Sequence, residues 1–165
     1  MIKDRNITPG SGADTAYTHA DLVDVTDCLD CEIDLPHGWR LALEATGEKS
    51  LATALTIDGT VFFTTYLPPG SDAGVQCAPA EGTGRLYAVA LKDASPTLFE
   101  DPLDPGDPND PPTADERFDE LDSPGIPSEV VSLPPDQLLR PDLKIQDVPV
   151  STRWQTFWHL EDVVD

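Results

Sequence analysis

The three cysteines are the residues of this sequence with the clearest potential for chemistry. Cys28 and Cys31 form one CxxC pair, and Cys77 stands alone downstream. A structural zinc site uses four ligands in paired clusters, and a reactive thiolate needs positive surroundings. The run DCLDCEID instead surrounds the pair with carboxylates, which disfavour a thiolate. We therefore interpret the cysteines as one structural disulfide with one cysteine left over, as in a protein of an oxidising compartment.

Aspartates recur at a spacing of three in two parts of the chain. Calcium loops place acids at alternating positions around a glycine turn, whereas a proline-rich run directs its carboxylates around an extended left-handed helix. We interpret both series as solvated side chains, with a calcium site as the alternative, and expect no other cofactor. The two series are Asp21, Asp24, Asp27 and Asp30, and Asp101, Asp104, Asp107 and Asp110.

No catalytic constellation is marked by its spacing. The histidines, His19, His37 and His159, are isolated from one another, and Ser11 lies in PGSGAD, which is not a strand–GxSxG–helix elbow. The run GTGRLY lacks the following helix that a dinucleotide-binding fingerprint requires. We therefore expect a chain that is not an enzyme, with no catalytic residue and no metal ligand.

The charge balance limits the partners of the 165-residue chain. It carries 10 basic and 31 acidic side chains, for a net charge of −21 at pH 7. Because nucleic-acid binding depends on Lys and Arg that neutralise phosphates, we expect no nucleic-acid partner. No apolar window approaches the roughly 18 residues of a membrane helix, so we expect no membrane span.

The stretch from residue 38 to residue 91 has the clearest strand pattern. Its signals are period-two alternation, β-branched and aromatic runs, and Asp58-Gly59, which is typical of a two-residue hairpin turn. These signals predict a four-stranded antiparallel meander of the β-propeller blade type. The predicted strands cover Trp39–Leu43, Ser50–Ile57, Thr60–Tyr66 and Arg85–Leu91.

The remaining segments differ in composition from the meander. We expect a short edge strand at 22–25, and Thr113 with Glu116 forms a capping-box pattern that predicts a short helix over about 114–121. A further strand is predicted at about 128–133. The whole chain is thus predicted to be one mainly β domain over 1–165, with a polar N-terminal segment (1–37), the meander (38–91), a long acidic, proline-rich loop with the short helix (92–127) and C-terminal strands (128–165).

A series of short motifs links the middle of the chain to a known family. The motifs are Gly38-Trp39, Gly47-Glu48-Lys49, Asp58-Gly59, Val61–Thr65, the Cys77 loop and Gly84–Ala88. Their order and spacing resemble the C-terminal β-propeller domain of the type IV pilus tip-associated PilC/PilY family. PGIPSEVVSL at 124–133 and Arg153-Trp154 are similar to later motifs of that family. The calcium loop of the family's propeller is missing from this sequence, and the DPLDPGDPNDPP run has no counterpart.

The resemblance implies a secreted or cell-surface protein that is associated with pili on the outer-membrane side of a bacterium. It implies a non-enzymatic role in adhesion or pilus assembly, through binding to proteins or surfaces. The implied partners are pilus components or the remainder of a propeller, of which this chain holds one and a half to two blades. An extracellular setting makes a disulfide reasonable, either from Cys77 to Cys28 or Cys31, or between Cys28 and Cys31.

A partial propeller leaves the apolar surface of its blades exposed. We expect the chain to cover that surface by forming a homo-oligomer, by binding a partner or with its own segments, and we expect Trp154, Phe157 and Trp158 to pack on the central sheet or on a partner.

Two other functions stay open. GRLYAV also resembles strand motifs of quinoprotein propeller enzymes, and a free-standing acidic β domain would act as a scaffold through its proline-rich loop.

Overall fold

The protein is mainly β in its computed structural model, which describes residues 18–29, 37–43, 45–69, 81–97, 114–134 and 136–148. Two short 3₁₀ helices, His19–Asp21 and Ala114–Arg117, are the helices of these ranges. None of the helices in these ranges has the length and apolar character to cross a membrane. The strands are β1 (Val23–Asp24), β2 (Trp39–Arg40), β3 (Lys49–Ser50), β4 (Leu55–Ile57), β5 (Thr60–Leu67), β6 (Thr83–Ala90), β7 (Phe118–Pro124), β8 (Val131–Leu133), β9 (Gln137–Leu139) and β10 (Ile145–Asp147).

The central sheet is built around β5 and β6, which pair along all 8 residues of each strand. β7 continues the sheet beyond β6, and β3 and β4 share the other side of β5, with every pairing antiparallel. The long pairing follows from the β-branched and aromatic residues of TVFFTTYL, which suit a strand with both faces covered. The predicted mainly β, antiparallel architecture is confirmed at this level.

The turn between β4 and β5 lies at Asp58 and Gly59. Both residues have positive φ, at 46° and 84°, the combination that a type I′ hairpin turn requires. The backbone N–H of Leu91 donates to the Gly59 carbonyl at 2.7 Å, so the turn is also joined to the chain just after β6. The hairpin that the sequence predicts at this position is confirmed.

Different layers cover the two faces of the central sheet, because side chains alternate along β5 and β6. The sheet β10–β9–β8 lies on the face that presents Phe62 and Leu86, and β1–β2 lies on the face that presents Phe63 and Val89. The first core contains Phe62, Leu86, Ala88, Leu121, Val130, Leu138 and Val148, and the second contains Val25, Trp39, Val89 and Ala94.

The strand predicted at Trp39–Leu43 is shorter and lies elsewhere. β2 ends at Arg40 and pairs in parallel with β1, so it does not join the central sheet. β3 and β4 already occupy the outer edge of β5. Trp39 is instead buried on the face of the sheet, where its indole Nε1 donates to the Leu91 carbonyl at 3.0 Å.

The helix predicted over 114–121 is wrong in its second half, and the boundaries of the meander change with it. The 3₁₀ helix ends at Arg117, and β7 begins at Phe118 and pairs with β6. A strand of the central sheet therefore comes from the segment 92–127, which was predicted as a loop with a short helix. Leu121 packs in the same core as Phe62 and Leu86, which stabilises a strand over a helix at this position. The strand predicted at 128–133 is the shorter β8.

Candidate functional site

An open cleft of about 620 Å³ lies between the β1–β2 layer and the central sheet. Phe63 of β5 and Trp39 of β2 supply its aromatic surface. Three leucines and three polar residues complete the wall, and most of its exposed surface is apolar. The remaining lining residues are His19, Leu22, Arg40, Leu41, Leu43 and Ser50. A concave, mainly apolar surface with a few polar groups is the usual composition of a binding site.

Arg40 is held beside the cleft by the pairing of β1 with β2. Asp24 and Arg40 are partners in that register, and Arg40 Nη2 lies 2.7 Å from Asp24 Oδ2. Thr26 donates its hydroxyl and its backbone N–H to the other oxygen of Asp24. These hydrogen bonds, with the nearby Arg40 charge, hold the pKa of Asp24 below its ordinary value. The guanidinium therefore faces a carboxylate that stays ionised.

His19 is positioned at the rim of the cleft by a capped 3₁₀ helix. Asp21 Oδ2 accepts hydrogen bonds from the Thr18 backbone N–H and hydroxyl, each at 2.8 Å. These bonds hold the pKa of Asp21 below its ordinary value. His19 itself is exposed. Of the histidines in the described ranges, His19 is the one that lines this cleft, and its imidazole supplies a polar group at the entrance.

A buried polar network lies directly behind the cleft, and Phe63 joins the two. The Phe63 ring stacks on Tyr87, with 4.8 Å between ring centroids and 11° between planes. The Tyr87 hydroxyl donates to Glu48 Oε1 at 3.0 Å, and the Thr65 hydroxyl donates to the same oxygen at 2.6 Å. Arg85 Nη1 reaches Glu48 Oε2 at 3.2 Å. The Glu48 side chain is 0% exposed, so these donors replace its hydration.

Strand register explains how this network assembles. Phe63 lies opposite Tyr87, and Thr65 lies opposite Arg85, so the four side chains share one face of the central sheet. Glu48 enters from the turn before β3, where Gly47 has a φ of +83° and the Glu48 N–H donates to the Ala45 carbonyl. The turn thus directs a carboxylate onto a sheet face that offers three donors.

The electrostatics of the network favour a structural role for Tyr87. Burial, followed by the adjacent Glu48 charge, raises the pKa of Tyr87 well above its ordinary value. Tyr87 therefore keeps its proton and remains a hydrogen-bond donor to Glu48. Arg85 also lies 4.2 Å above the centre of the Phe118 ring and 3.7 Å from Glu120. The guanidinium is thus held between an aromatic face and two carboxylates.

Arg117 fixes the layer that forms the N-terminal wall of the cleft. It is 2% exposed, and its guanidinium donates to four backbone carbonyls, those of Ala94, Thr26, Val25 and Cys28, at 2.6–2.9 Å. These bonds join the segment after β1 to the segment after β6. Cys28 is also disulfide-bonded. The wall that contains β1 is therefore anchored at its C-terminal end.

The sequence predicted some of these residues and missed others. Cys31, Cys77, Trp154, Phe157 and Trp158 lie outside the described residues, so the disulfide pairing and the aromatic packing stay predictions. Asp21 and Asp24 are exposed, in agreement with the predicted solvated side chains, and they also contact Thr18, Thr26 and Arg40 at the surface. Within the ranges that the structure describes, no three His, Cys, Asp or Glu side chains group together as metal ligands.

Glu48 and Arg117 are the important residues that sequence reasoning missed. In the sequence Glu48 is marked only as part of the turn motif Gly47-Glu48-Lys49, and nothing in the local sequence marks Arg117. The partners of both residues come from distant segments, 17 to 39 residues away for Glu48 and 23 to 92 residues away for Arg117. The one local signal is the positive-φ glycine before Glu48, which indicates a sharp turn but not its contacts.

Comparison of the chain with protein-family models, with curated proteins and with solved structures gave no match.

Proposed function

We propose that this chain is a non-enzymatic binding module, which holds a partner polypeptide in the cleft between β1–β2 and the central sheet. The observation that carries the proposal is the open apolar cleft whose aromatic wall rests on the buried Glu48 network. A wall that is fixed before binding lowers the entropic cost of association. The occupant is an aliphatic or aromatic side chain of the partner.

The engagement of the polar groups around the cleft favours binding over chemistry. Both oxygens of Glu48 accept hydrogen bonds, and the raised pKa of Tyr87 keeps that hydroxyl protonated. The Arg117 guanidinium is committed to backbone carbonyls. A general base or a nucleophile needs a free, correctly protonated group near the substrate. In the described part of the chain, these three groups instead maintain the shape of the cleft.

The finer form of the proposal is that the module belongs to the surface-exposed end of a type IV pilus tip protein. The motif order described above supports it, as does the disulfide at Cys28, which suits an oxidising compartment. The consecutive antiparallel neighbours β4, β5, β6 and β7 have the up-and-down order of a propeller blade. Pilus components or the rest of a propeller are then the natural partners.

The pilus assignment is tested by co-sedimentation of the purified protein with type IV pilus filaments and with isolated minor pilins. We expect binding by the wild type and by Leu51→Asp, whose side chain is exposed and lies outside the cleft lining. Leu41→Asp introduces a charge into the apolar wall, so we expect binding at least about tenfold weaker. Absence of wild-type binding to any pilus component would contradict the pilus assignment.

The polypeptide-binding role is tested separately, by selecting displayed peptides on the wild-type protein. We expect enriched peptides with large apolar side chains whose binding is lost with Leu41→Asp and retained with Leu51→Asp. Failure to enrich peptides, or equal loss in the two variants, would overturn this role. A quinone absorption band with matching dehydrogenase activity in the purified protein would instead support the propeller-enzyme alternative.

A further inference from the structure

A row of aliphatic side chains crosses the outer face of the sheet β10–β9–β8. Val131 lies opposite Leu139, and Leu139 lies opposite Ile145. Directly opposed residues of antiparallel strands point to the same face. Leu138, one residue away from Leu139, is fully buried in the core against the central sheet, so the row of Val131, Leu139 and Ile145 points outward.

This outer face is exposed to a degree that is unusual for such residues. Val131 is 47% exposed and Ile145 is 60% exposed, and Leu143 in the turn between β9 and β10 is 81% exposed. Ser132 and Gln146 flank the buried Leu138 in the inward row. An antiparallel sheet with one solvated face normally directs its polar residues outward. Here the aliphatic row is outward, a pattern that marks an interaction surface.

The charges around this outer face are acidic. Asp147 lies on it, in the next row with Leu133 and Gln137, and Glu129 and Asp136 are exposed beside β8 and β9. The cations of this sheet are already paired: Lys144 contacts Asp122, and Arg140 lies 2.6 Å from Asp119. An incoming molecule therefore meets aliphatic side chains bordered by carboxylates.

We propose that this outer face docks a cationic polypeptide segment, with aliphatic side chains on the row of Val131, Leu139 and Ile145 and with Lys or Arg side chains beside Asp147, Glu129 and Asp136. Charge complementarity selects this occupant over a second copy. Two copies joined through this face would bring the same carboxylates together and would each carry a net charge of −21. The surface lies on the opposite side of the central sheet from the cleft, so it is independent of the proposed function.

The proposal is tested with a synthetic peptide of alternating lysine and valine, titrated into the full chain by fluorescence anisotropy. Val131→Ser with Ile145→Ser removes two aliphatic side chains from the outer row. Leu51→Ser with Ile126→Ser removes two exposed aliphatic side chains elsewhere and is the matched control. We expect the peptide to bind the wild type and the control alike, and the first double variant at least about tenfold more weakly.

Two further measurements separate this docking from general attraction to an acidic protein. A peptide of alternating lysine and serine should bind at least about tenfold more weakly than the lysine–valine peptide. In NMR titrations with the lysine–valine peptide, the backbone amides whose chemical shifts change should lie in β8, β9 and β10. The proposal is overturned if the two peptides bind equally or if the two double variants weaken binding equally. It is also overturned if the chemical shift changes lie outside β8, β9 and β10. A wild-type dimer that Val131→Ser with Ile145→Ser dissociates would assign the face to a second copy instead.

Discussion

Glu48 accepts hydrogen bonds from three side chains on two neighbouring strands, although it belongs to a turn. Thr65 lies on β5, and Tyr87 and Arg85 lie on β6, all on the sheet face beneath the cleft. Loss of the carboxylate would leave the Tyr87 hydroxyl and the Arg85 guanidinium without their buried acceptor. This would lower the free energy of unfolding by more than the net contribution of the hydrogen bonds themselves. The Glu48 turn therefore stabilises the sheet face that forms the wall of the cleft.

We expect Glu48→Ala to lower the free energy of unfolding by about 3 kcal/mol, because a partly buried guanidinium loses its main partner. Urea denaturation measures this loss. Glu120→Ala is the matched control: it removes the other carboxylate beside Arg85, but the Glu120 side chain is 63% exposed. We expect the control to change stability by less than about 0.5 kcal/mol. Similar losses in both variants would show that Glu48 has no special role.

Tyr87 gives the protein a specific response to alkaline pH. Its pKa in the folded protein is raised above the unfolded value of 10.0, mainly by burial. The folded state therefore keeps a proton that the unfolded state releases, so stability is full below pH 10 and falls as the pH rises above it. Tyr87→Phe should make the free energy of unfolding less steeply dependent on pH above 10. Parallel pH profiles for the two proteins would contradict this assignment.

At the scale of elements, β1 and β2 owe their position to side chains more than to their own pairing. Each has two residues, too few for a stable ladder, and they pair in parallel. Trp39 fixes β2 through Leu91, and Arg117 fixes the segment after β1 through backbone carbonyls. The wall of the cleft is thus held by long-range contacts to the central sheet.

We expect Arg117→Lys to weaken this wall, because one ammonium group cannot reach four carbonyls that are spread around a planar guanidinium. The free energy of unfolding should fall by about 2–3 kcal/mol, and amide hydrogens of residues 23–28 should exchange faster than those of β5 and β6. Arg40→Lys is the control, because the Arg40 and Asp24 side chains of that ion pair are 41% and 43% exposed. We expect this variant to change the free energy of unfolding by less than about 0.5 kcal/mol. Uniform exchange in Arg117→Lys would contradict the anchoring role.

Local signals decided which elements were predictable from the sequence. Asp58-Gly59 marks its hairpin because few residue pairs adopt positive φ at both positions, and TVFFTTY marks β5 by its composition. β7 was not predictable because its strand conformation depends on pairing with β6, whose partner residues lie 31 to 41 positions earlier. The cleft residue Trp39 was assigned to a strand, but its burial against the sheet face depends on a carbonyl 52 residues away. Neither contact has a local sequence signature.

At the scale of the whole molecule, the central sheet separates two surfaces of different chemistry. The cleft side is aromatic and aliphatic, with Arg40 beside it, whereas the outer face of β10–β9–β8 is aliphatic and bordered by carboxylates. Both surfaces belong to a chain with a net charge of −21. The self-repulsion of such a charge opposes the compact state and acts over about 10 Å at 0.1 M salt.

We therefore expect sodium chloride to raise the Tm of the protein between about 10 mM and 150 mM, because screening relieves this repulsion more than it weakens the surface ion pairs. Thermal denaturation followed by circular dichroism measures the change. Sucrose at matched osmolality is the control for effects that do not depend on charge. A Tm that stays constant or falls with salt would mean that the acidic side chains repel one another too little to affect folding.

The hydrogen bond from Trp39 to Leu91 gives the cleft an intrinsic optical reporter. The indole borders the cleft, is 6% exposed and keeps a fixed hydrogen-bond partner, so its emission reports mainly on the groups packed beside it. The sequence contains 3 tryptophans, and replacing Trp154 and Trp158 by Phe leaves Trp39 alone. In that variant, a partner that binds in the cleft changes the surroundings of the indole, and the resulting change in Trp39 emission follows occupancy without a label.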